Sequence, residues 1–306
     1  MSAAAIAATL LFSLSASAGE RITLSSGATQ TLELATTPGT GYLLTIDEAG
    51  IDCDATLTQG SRRTRGFDGD VLRHGQFRFA FVATTPTVRL DFQGSRPGSP
   101  AGTIEWRLTP VLMDGDRASN AFALDLLETE VADRYRDPER AAAEESVRFG
   151  EQLLSGRELL QDEGGIVRAV LQVDRLYAEA SRRHDAIALL ERTLPLMKRL
   201  GRPRAAANAE NNIGMHWFRL GDGRKAEAPL KRALSIAQSL HDGLLEAVVQ
   251  NNLCLTTASR GRAVDSVRCY QRALALSQAS GDSMRIATAH NNLGNALSAG
   301  HQHVEA

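Results

Sequence analysis

Cysteine is scarce in this chain. Of 306 residues only Cys53, Cys254 and Cys269 carry a thiol, too few for a disulfide framework and in no spacing that suits a metal or a redox motif. Three cysteines cannot all pair within one monomer. Cys254 and Cys269 fall on successive helices of one expected hairpin, so a bond between them suits an oxidising compartment, whereas buried free thiols are the default for a residue that packs as a small apolar group. Aromatics are also few, at 5%. That suits small helix-helix interfaces better than an aromatic-rich sandwich throughout. Charge of one sign is lacking as well. With 34 Lys and Arg against 36 Asp and Glu, no global field draws the protein to nucleic acid or an anionic membrane.

Long apolar runs are confined to Ala3–Leu14, which is too short to span a bilayer. The small-residue triplet Ala16-Ser17-Ala18 and Gly19 follow it, so residues 1–18 read as an export signal cleaved after Ala18, although no Lys or Arg precedes the run. The expected product is periplasmic or secreted, with no stable membrane insertion. An apolar amino-terminal helix packed on the domain is the alternative reading.

Motifs of catalysis are missing too. The chain has no Gly-rich phosphate loop, no Ser nucleophile elbow and no zinc-protease helix. Its seven His residues, at 74, 184, 216, 241, 290, 301 and 303, are scattered, and none forms a recognisable arrangement with an acid or a thiol. The expectation is a protein that is not an enzyme and uses no cofactor and no metal. Two patches have bland readings. Asp52 and Asp54, with Asp47, Glu48, Asp68 and Asp70, would suit a calcium ion but are first of all turn acids. Arg62, Arg63 and Arg65 read as a solvated basic turn.

What is present divides into two halves. From Arg21 to about Leu112 apolar residues alternate, in Thr29–Leu34, Tyr42–Ile46, Phe77–Val82, Val88–Phe92 and Thr103–Leu108. Turn residues at Pro38-Gly39, Asp68-Gly69-Asp70 and Ser95–Gly102 separate these runs. The pattern predicts a small all-β sandwich over residues 19–113. After Asp114 the period turns helical and stays so, and Asp137-Pro138-Glu139 marks a helix start. The expected second domain, 117–306, is all-α.

The second half repeats. Asn211-Asn212-Ile213-Gly214, Asn251-Asn252-Leu253-Cys254 and Asn291-Asn292-Leu293-Gly294 recur at forty-residue steps. So do Arg192-Thr193-Leu194, Arg232-Ala233-Leu234 and Arg272-Ala273-Leu274. A fixed period with two helices per unit means a solenoid. The expected hairpins are Gly165–Leu200, Ala205–Leu240 and Leu245–Ser280, with a fourth begun at Met284 and a divergent pair over Ala118–Leu160. Ser298–Ala306 falls where the second helix of the last unit is due, so the array reads as unfinished. Either the sequence is a piece of a longer protein, which is the favoured reading, or a partner covers the bare end.

Ile213, Gly214 and Trp217 on the first helix, Gly221 at the turn, and Ala226, Leu230 and Ala233 on the second resemble the tetratricopeptide pattern. Leu253, Cys254, Gly261, Ser266, Tyr270 and Ala273 repeat it. The longer period and paired Asn are similar to kinesin light chain repeats, over about the last 140 residues. The resemblance implies a superhelical solenoid and a protein or peptide ligand in a groove lined by first-helix side chains. Carried over by position, those are Arg168, Leu171 and Arg175, then Asn208, Asn211, Met215 and Phe218, then Val248, Asn251 and Leu255, then Asn291 and Asn295. A carboxamide both donates and accepts, so it suits the backbone of an extended peptide. It equally suits hydrogen bonds between adjacent repeats. The basic clamp that some of these domains use for a terminal carboxylate is not reproduced.

The order of signal, small β-domain and repeat array is also similar to exported bacterial proteins that end in a CHAT domain, a caspase-like protease fold. Gly41-Tyr42-Leu43, Gly50-Ile51-Asp52 and Thr103-Ile104-Glu105-Trp106 resemble a diverged bacterial pre-peptidase C-terminal domain. That likeness implies the alternative function, a regulatory portion of a protease or signalling enzyme. Its catalytic His and Cys would lie in a downstream catalytic domain beyond Ala306.

Overall fold

The computed structural model describes residues 20–304, except Ser26, Gly50, Asp52 and residues 66–75, 95–100 and 136–143. The expected export signal at 1–18, Asp52, Asp68, Asp70, His74 and the helix start at Asp137-Pro138-Glu139 therefore lie outside the described residues. The chain is an all-β sandwich followed by an all-α tetratricopeptide-like array, and it forms two compact units, Met1–Leu176 and Tyr177–Ala306.

Eight strands build the sandwich in the first unit: β1 (Glu20–Leu24), β2 (Thr29–Ala35), β3 (Gly41–Ala49), β4 (Cys53–Gln59), β5 (Arg62–Arg65), β6 (Gln76–Val82), β7 (Thr87–Gly94) and β8 (Gly102–Pro110). They form two antiparallel sheets in the orders β1-β8-β3-β6 and β2-β7-β4-β5. Alternation puts Leu44, Ile46, Phe79, Ile104 and Trp106 of one sheet against Leu32, Leu34, Leu57, Leu90 and Phe92 of the other, all buried in one core. The five strands expected from alternation are all present. Arg62, Arg63 and Arg65, expected as a turn, are instead an edge strand paired with Thr56–Gln59 of β4.

Nine helices follow among the described residues. They are α1 (Asp116–Tyr135), α2 (Glu144–Leu159), α3 (Glu163–Glu179), α4 (Arg183–Arg199), α5 (Pro203–Arg219), α6 (Gly223–Ser239), α7 (Gly243–Ser259), α8 (Ala263–Ser280) and α9 (Ser283–Val304). Helix α1 closes the side of the sandwich where β5 and β6 are edges. Phe122 fills the space beside Gly41, where an added Cβ would lie 2.7 Å from its ring. Thr129 Oγ1 accepts a hydrogen bond from the Ala80 amide at 2.8 Å, and Asp133 accepts from the Arg65 amide at 3.3 Å. These contacts cover backbone groups that an open sheet edge would offer to another chain.

A buried ion network ties α1 to its neighbours in the same unit. Arg157 on α2 is 2% exposed and donates to Asp125, Glu128 and Asp162. Arg168 on α3 donates to Glu128 at 2.9 Å, and Arg78 on β6 lies 3.7 Å from Asp125. Burial opposes the charge of Arg157, yet Glu128, Asp125 and Asp162 outweigh it and hold the guanidinium above its usual value. For Arg78 the balance falls the other way, because burial and then the adjacent Arg168 push it down.

From α3 onward the helices begin at 163, 183, 203, 223, 243, 263 and 283, so the forty-residue period is two equal halves. Each of those helices is preceded by a residue in the left-handed region: Gln161, Ser181, Gly201, Gly221, His241, Gly261 and Gly281. Four of the seven are Gly, which adopts that conformation without strain. Asp caps mark the starts, with Asp162, Asp222, Asp242 and Asp282 each accepting the amide three residues on at 2.9–3.0 Å. At the start of α5, Arg202 offers no cap, and Pro203 takes the first helical turn instead. At the far end α9 runs as one helix from Ser283 to Val304.

Candidate functional site

The α5–α6 hairpin closes where its first helix carries a small residue. A Cβ added to Gly214 on α5 would stand 2.5 Å from Leu230 Cγ and 3.0 Å from the Ala226 carbonyl on α6. Ala226, Leu230 and Ala233 are fully buried there. Glu210, itself buried, clamps the same pair of helices by accepting two hydrogen bonds from Arg232, both at 2.7 Å. Trp217 joins three helices, with His184 of α4 at its edge and the Lys225 ammonium of α6 4.4 Å from its ring centre.

The next unit differs at this point. Cys254 and Cys269 form a disulfide between α7 and α8, with Cα atoms 5.4 Å apart. Of the two states the sequence allows for this pair, the bonded one is found, while Cys53, buried in the sandwich, is in no disulfide. The pairing follows from packing. The two residues sit where the first and second helices of a unit approach most closely, within bonding distance once both are Cys. Burial in the same cluster pushes the Tyr270 hydroxyl up to about 12.

The paired Asn residues form rungs between successive units. Asn252 Nδ2 donates to Asn211 Oδ1 at 2.8 Å, and Asn292 Nδ2 donates to Asn251 Oδ1 at 2.9 Å. Asn211 Nδ2 in turn lies 3.3 Å from Asn212 Oδ1. Each rung joins the second Asn of one doublet, which was not among the expected groove residues, to the first Asn of the doublet before it, which was. The doublet itself, repeated at forty residues, was the available signal. Arg204 of α5 adds a brace by pairing with Asp242, the α7 cap, at 3.0 Å.

The remaining expected groove residues are placed as follows. Asn208, Asn211, Met215, Phe218, Asn251 and Leu255 are partly buried on α5 and α7, with Leu255 packed beside the Cys254 cluster. Asn291 and Asn295 are exposed on α9. Arg168 and Arg175 belong to the first unit. The Arg168 guanidinium is engaged by Glu128, and Arg175 is exposed.

Charge is distributed unevenly over the second unit. The positions equivalent to 208, 211, 212, 215 and 218 on α5, α7 and α9 carry Asn, Met, Phe, Val, Leu, Ala, Thr and Ser, with no charged residue. The second helices and turns carry the ions, in pairs such as Arg182–Asp185, Lys231–Glu227 and Arg260–Glu227. Lys231 above all, with Arg260, holds Glu227 below the usual carboxylate range against partial burial. Among the described residues no cluster of three or more His, Cys, Asp or Glu is placed to hold a metal ion, and no helix is long and apolar enough to cross a membrane.

No protein-family model matches the chain, and no curated protein does. Solved structures do. A kinesin light chain protein of Podosopora anserina with nearly identical TPR-like repeats matches 60% of this chain and 89% of its own, at 17% identity and a TM-score of 0.50. A signal-transduction ATPase of Pyrococcus horikoshii with a tetratricopeptide repeat sensor matches 58% of this chain and 27% of its own, at 12% identity and 0.53. Aspartyl phosphate phosphatase F of Bacillus subtilis matches 62% and 48%, at 12% identity and 0.52. At these identities the likeness defines a fold. The helical part of the chain is a tetratricopeptide-like repeat array.

Proposed function

We propose that the protein is a non-catalytic, exported interaction scaffold that holds an extended peptide or protein segment along the first-helix face of its repeats. The observation that carries this reading is the face itself. Over α5, α7 and α9 it recurs every forty residues with carboxamides and partly exposed apolar side chains and without charge. Carboxamides meet backbone N–H and C=O groups of a ligand, while Met215, Phe218 and Leu255 meet its apolar side chains. The rungs add to the reading, since they fix the spacing at which those groups are offered. Asn211 and Asn251 both accept from a rung, so Asn291, Asn295, Met215 and Phe218 carry most of the ligand contact. The disulfide supports the exported part of the reading, because such bonds persist in oxidising compartments.

Selection of a randomised peptide library on the full chain tests the proposal. Peptides recovered should lose affinity at least ~10-fold when Phe218→Ala or the pair Asn291→Ala and Asn295→Ala is introduced, at unchanged melting temperature. Affinity that survives both changes sinks the assignment of this face. Affinity that falls steeply between low and high salt sinks its uncharged character.

A further inference from the structure

We propose that the Cys254–Cys269 disulfide is a redox latch that sets the order of α7, α8 and α9 separately from the hairpin before them. Forty residues upstream, the two cysteines correspond to Gly214 and Pro229, where α5 and α6 close on each other. In that earlier hairpin the helices are also clamped by the two hydrogen bonds from Arg232 to Glu210. At the same positions the later hairpin has Gln250 and Arg272. A neutral carboxamide cannot form that ionic clamp. Gln250 Nε2 lies instead 3.2 Å from Cys269 Sγ, and Arg272 lies 3.9 Å from Glu246. The covalent bond stands in for the missing ion pair, in the hairpin whose first helix also bears Asn251 and Leu255.

The latch opens by exchange with a dithiol reductant. Cys254 is fully buried and Cys269 partly exposed, so the incoming thiolate attacks Cys269 Sγ. The S–S bond breaks, Cys254 leaves as the thiolate and takes a proton, and Cys269 is held as a mixed disulfide. The second thiol of the reductant, as its thiolate, attacks its own sulfur in that mixed disulfide. Cys269 leaves and is protonated, and the reductant departs as its disulfide. Two electrons pass from reductant to protein. Opening this link, which closes a sequence separation of 15 residues, returns chain freedom to the α7–α8 segment. The latch does not depend on the binding reading above, although opening it alters the α7 part of that face.

Hydrogen exchange with mass spectrometric readout on the full chain, exported to an oxidising compartment and purified without reductant, tests the latch. In denaturant the oxidised chain should show one titratable thiol, Cys53, and the reduced chain all three cysteines. Reduction with excess dithiothreitol should speed exchange in α7–α9 by ~100-fold and in α5–α6 by less than ~10-fold. The double change Cys254→Ala and Cys269→Ala should match the reduced protein. Adding Gln250→Glu, which recreates the partner for Arg272, should recover about tenfold of the lost protection. Three free thiols in the unreduced chain, or equal acceleration across α5–α9, or no acceleration at all, would overturn the proposal. Reduction of the unmodified chain decides the matter even if the variants fail to fold.

Discussion

Two glycines forty residues apart from an intermediate cysteine show how one position changes its demands with its neighbours. Gly214 faces Leu230 and the Ala226 carbonyl, so Gly214→Ala forces the helices apart and should cost about 1–3 kcal/mol in urea denaturation. Gly294 has open space around it in α9, so Gly294→Ala relieves the entropy of a helical glycine and should stabilise by about 0.5–1 kcal/mol. The same residue type thus gives opposite signs. The rungs allow a similar comparison. Asn252→Ala or Asn292→Ala removes one inter-repeat hydrogen bond and should cost about 1 kcal/mol each, with the thermal midpoint as readout. His241 occupies a left-handed conformation that glycine fills at four equivalent turns, so His241→Gly should raise stability by about 0.5–1 kcal/mol.

At the scale of elements, the starts and contacts of helices decide more than their propensities. Arg202 is the exception in a column otherwise made of Asp162, Asp242 and Asp282. Arg202→Asp should therefore add a cap bond and stabilise α5 by about 1 kcal/mol, read from chemical denaturation. Helix α2 depends on a buried cation instead. Arg157→Met leaves Asp125 and Glu128 without their main partner and should destabilise the first unit by about 3–5 kcal/mol. Much of this level was legible in the sequence. The hairpins were expected within two or three residues of where they begin, because the apolar period and the Gly and Asp punctuation recur together. Strand β5 was not legible, since Arg62–Arg65 has no apolar alternation and becomes a strand only by pairing with β4. Strand β4 alternates Cys53, Ala55 and Leu57, a pattern too small in side-chain volume to stand out. The doublets announced the candidate face, but that Asn252 reaches back to Asn211 while Asn251 accepts from Asn292 depends on three-dimensional spacing that periodicity does not contain. The disulfide was open for the same reason, because sequence places two cysteines on neighbouring helices without their separation.

Across the whole chain the charge balance sets the response to acid. Glu227 is held low by Lys231 and Arg260, and Asp222 by the amide and ammonium of Lys225. Asp91 in the sandwich is depressed as well, where hydrogen bonds from Arg89 and Thr31 outweigh burial. Carboxylates with lowered folded values lend stability that is complete above their unfolded values and is lost as pH falls through the folded ones. The melting temperature should therefore hold steady down to about pH 4 and fall below it. High salt should shrink the part due to exposed pairs such as Lys231–Glu227. Circular dichroism melts between acid and neutral pH, at two salt concentrations, check both statements.

The equal spacing of helix starts has a last consequence, for how such a chain changes length over generations. Because each joint from 161 to 281 is the same left-handed turn at the same interval, excising residues 203–242 would weld α4 to α7 through a joint of unchanged geometry. A gene can then gain or lose forty codons at a stroke and still encode a foldable product, whereas a loss of thirty-nine would turn every later face out of phase. Such an array evolves by whole modules, with its local chemistry, such as the Cys254–Cys269 bond, edited afterwards one module at a time.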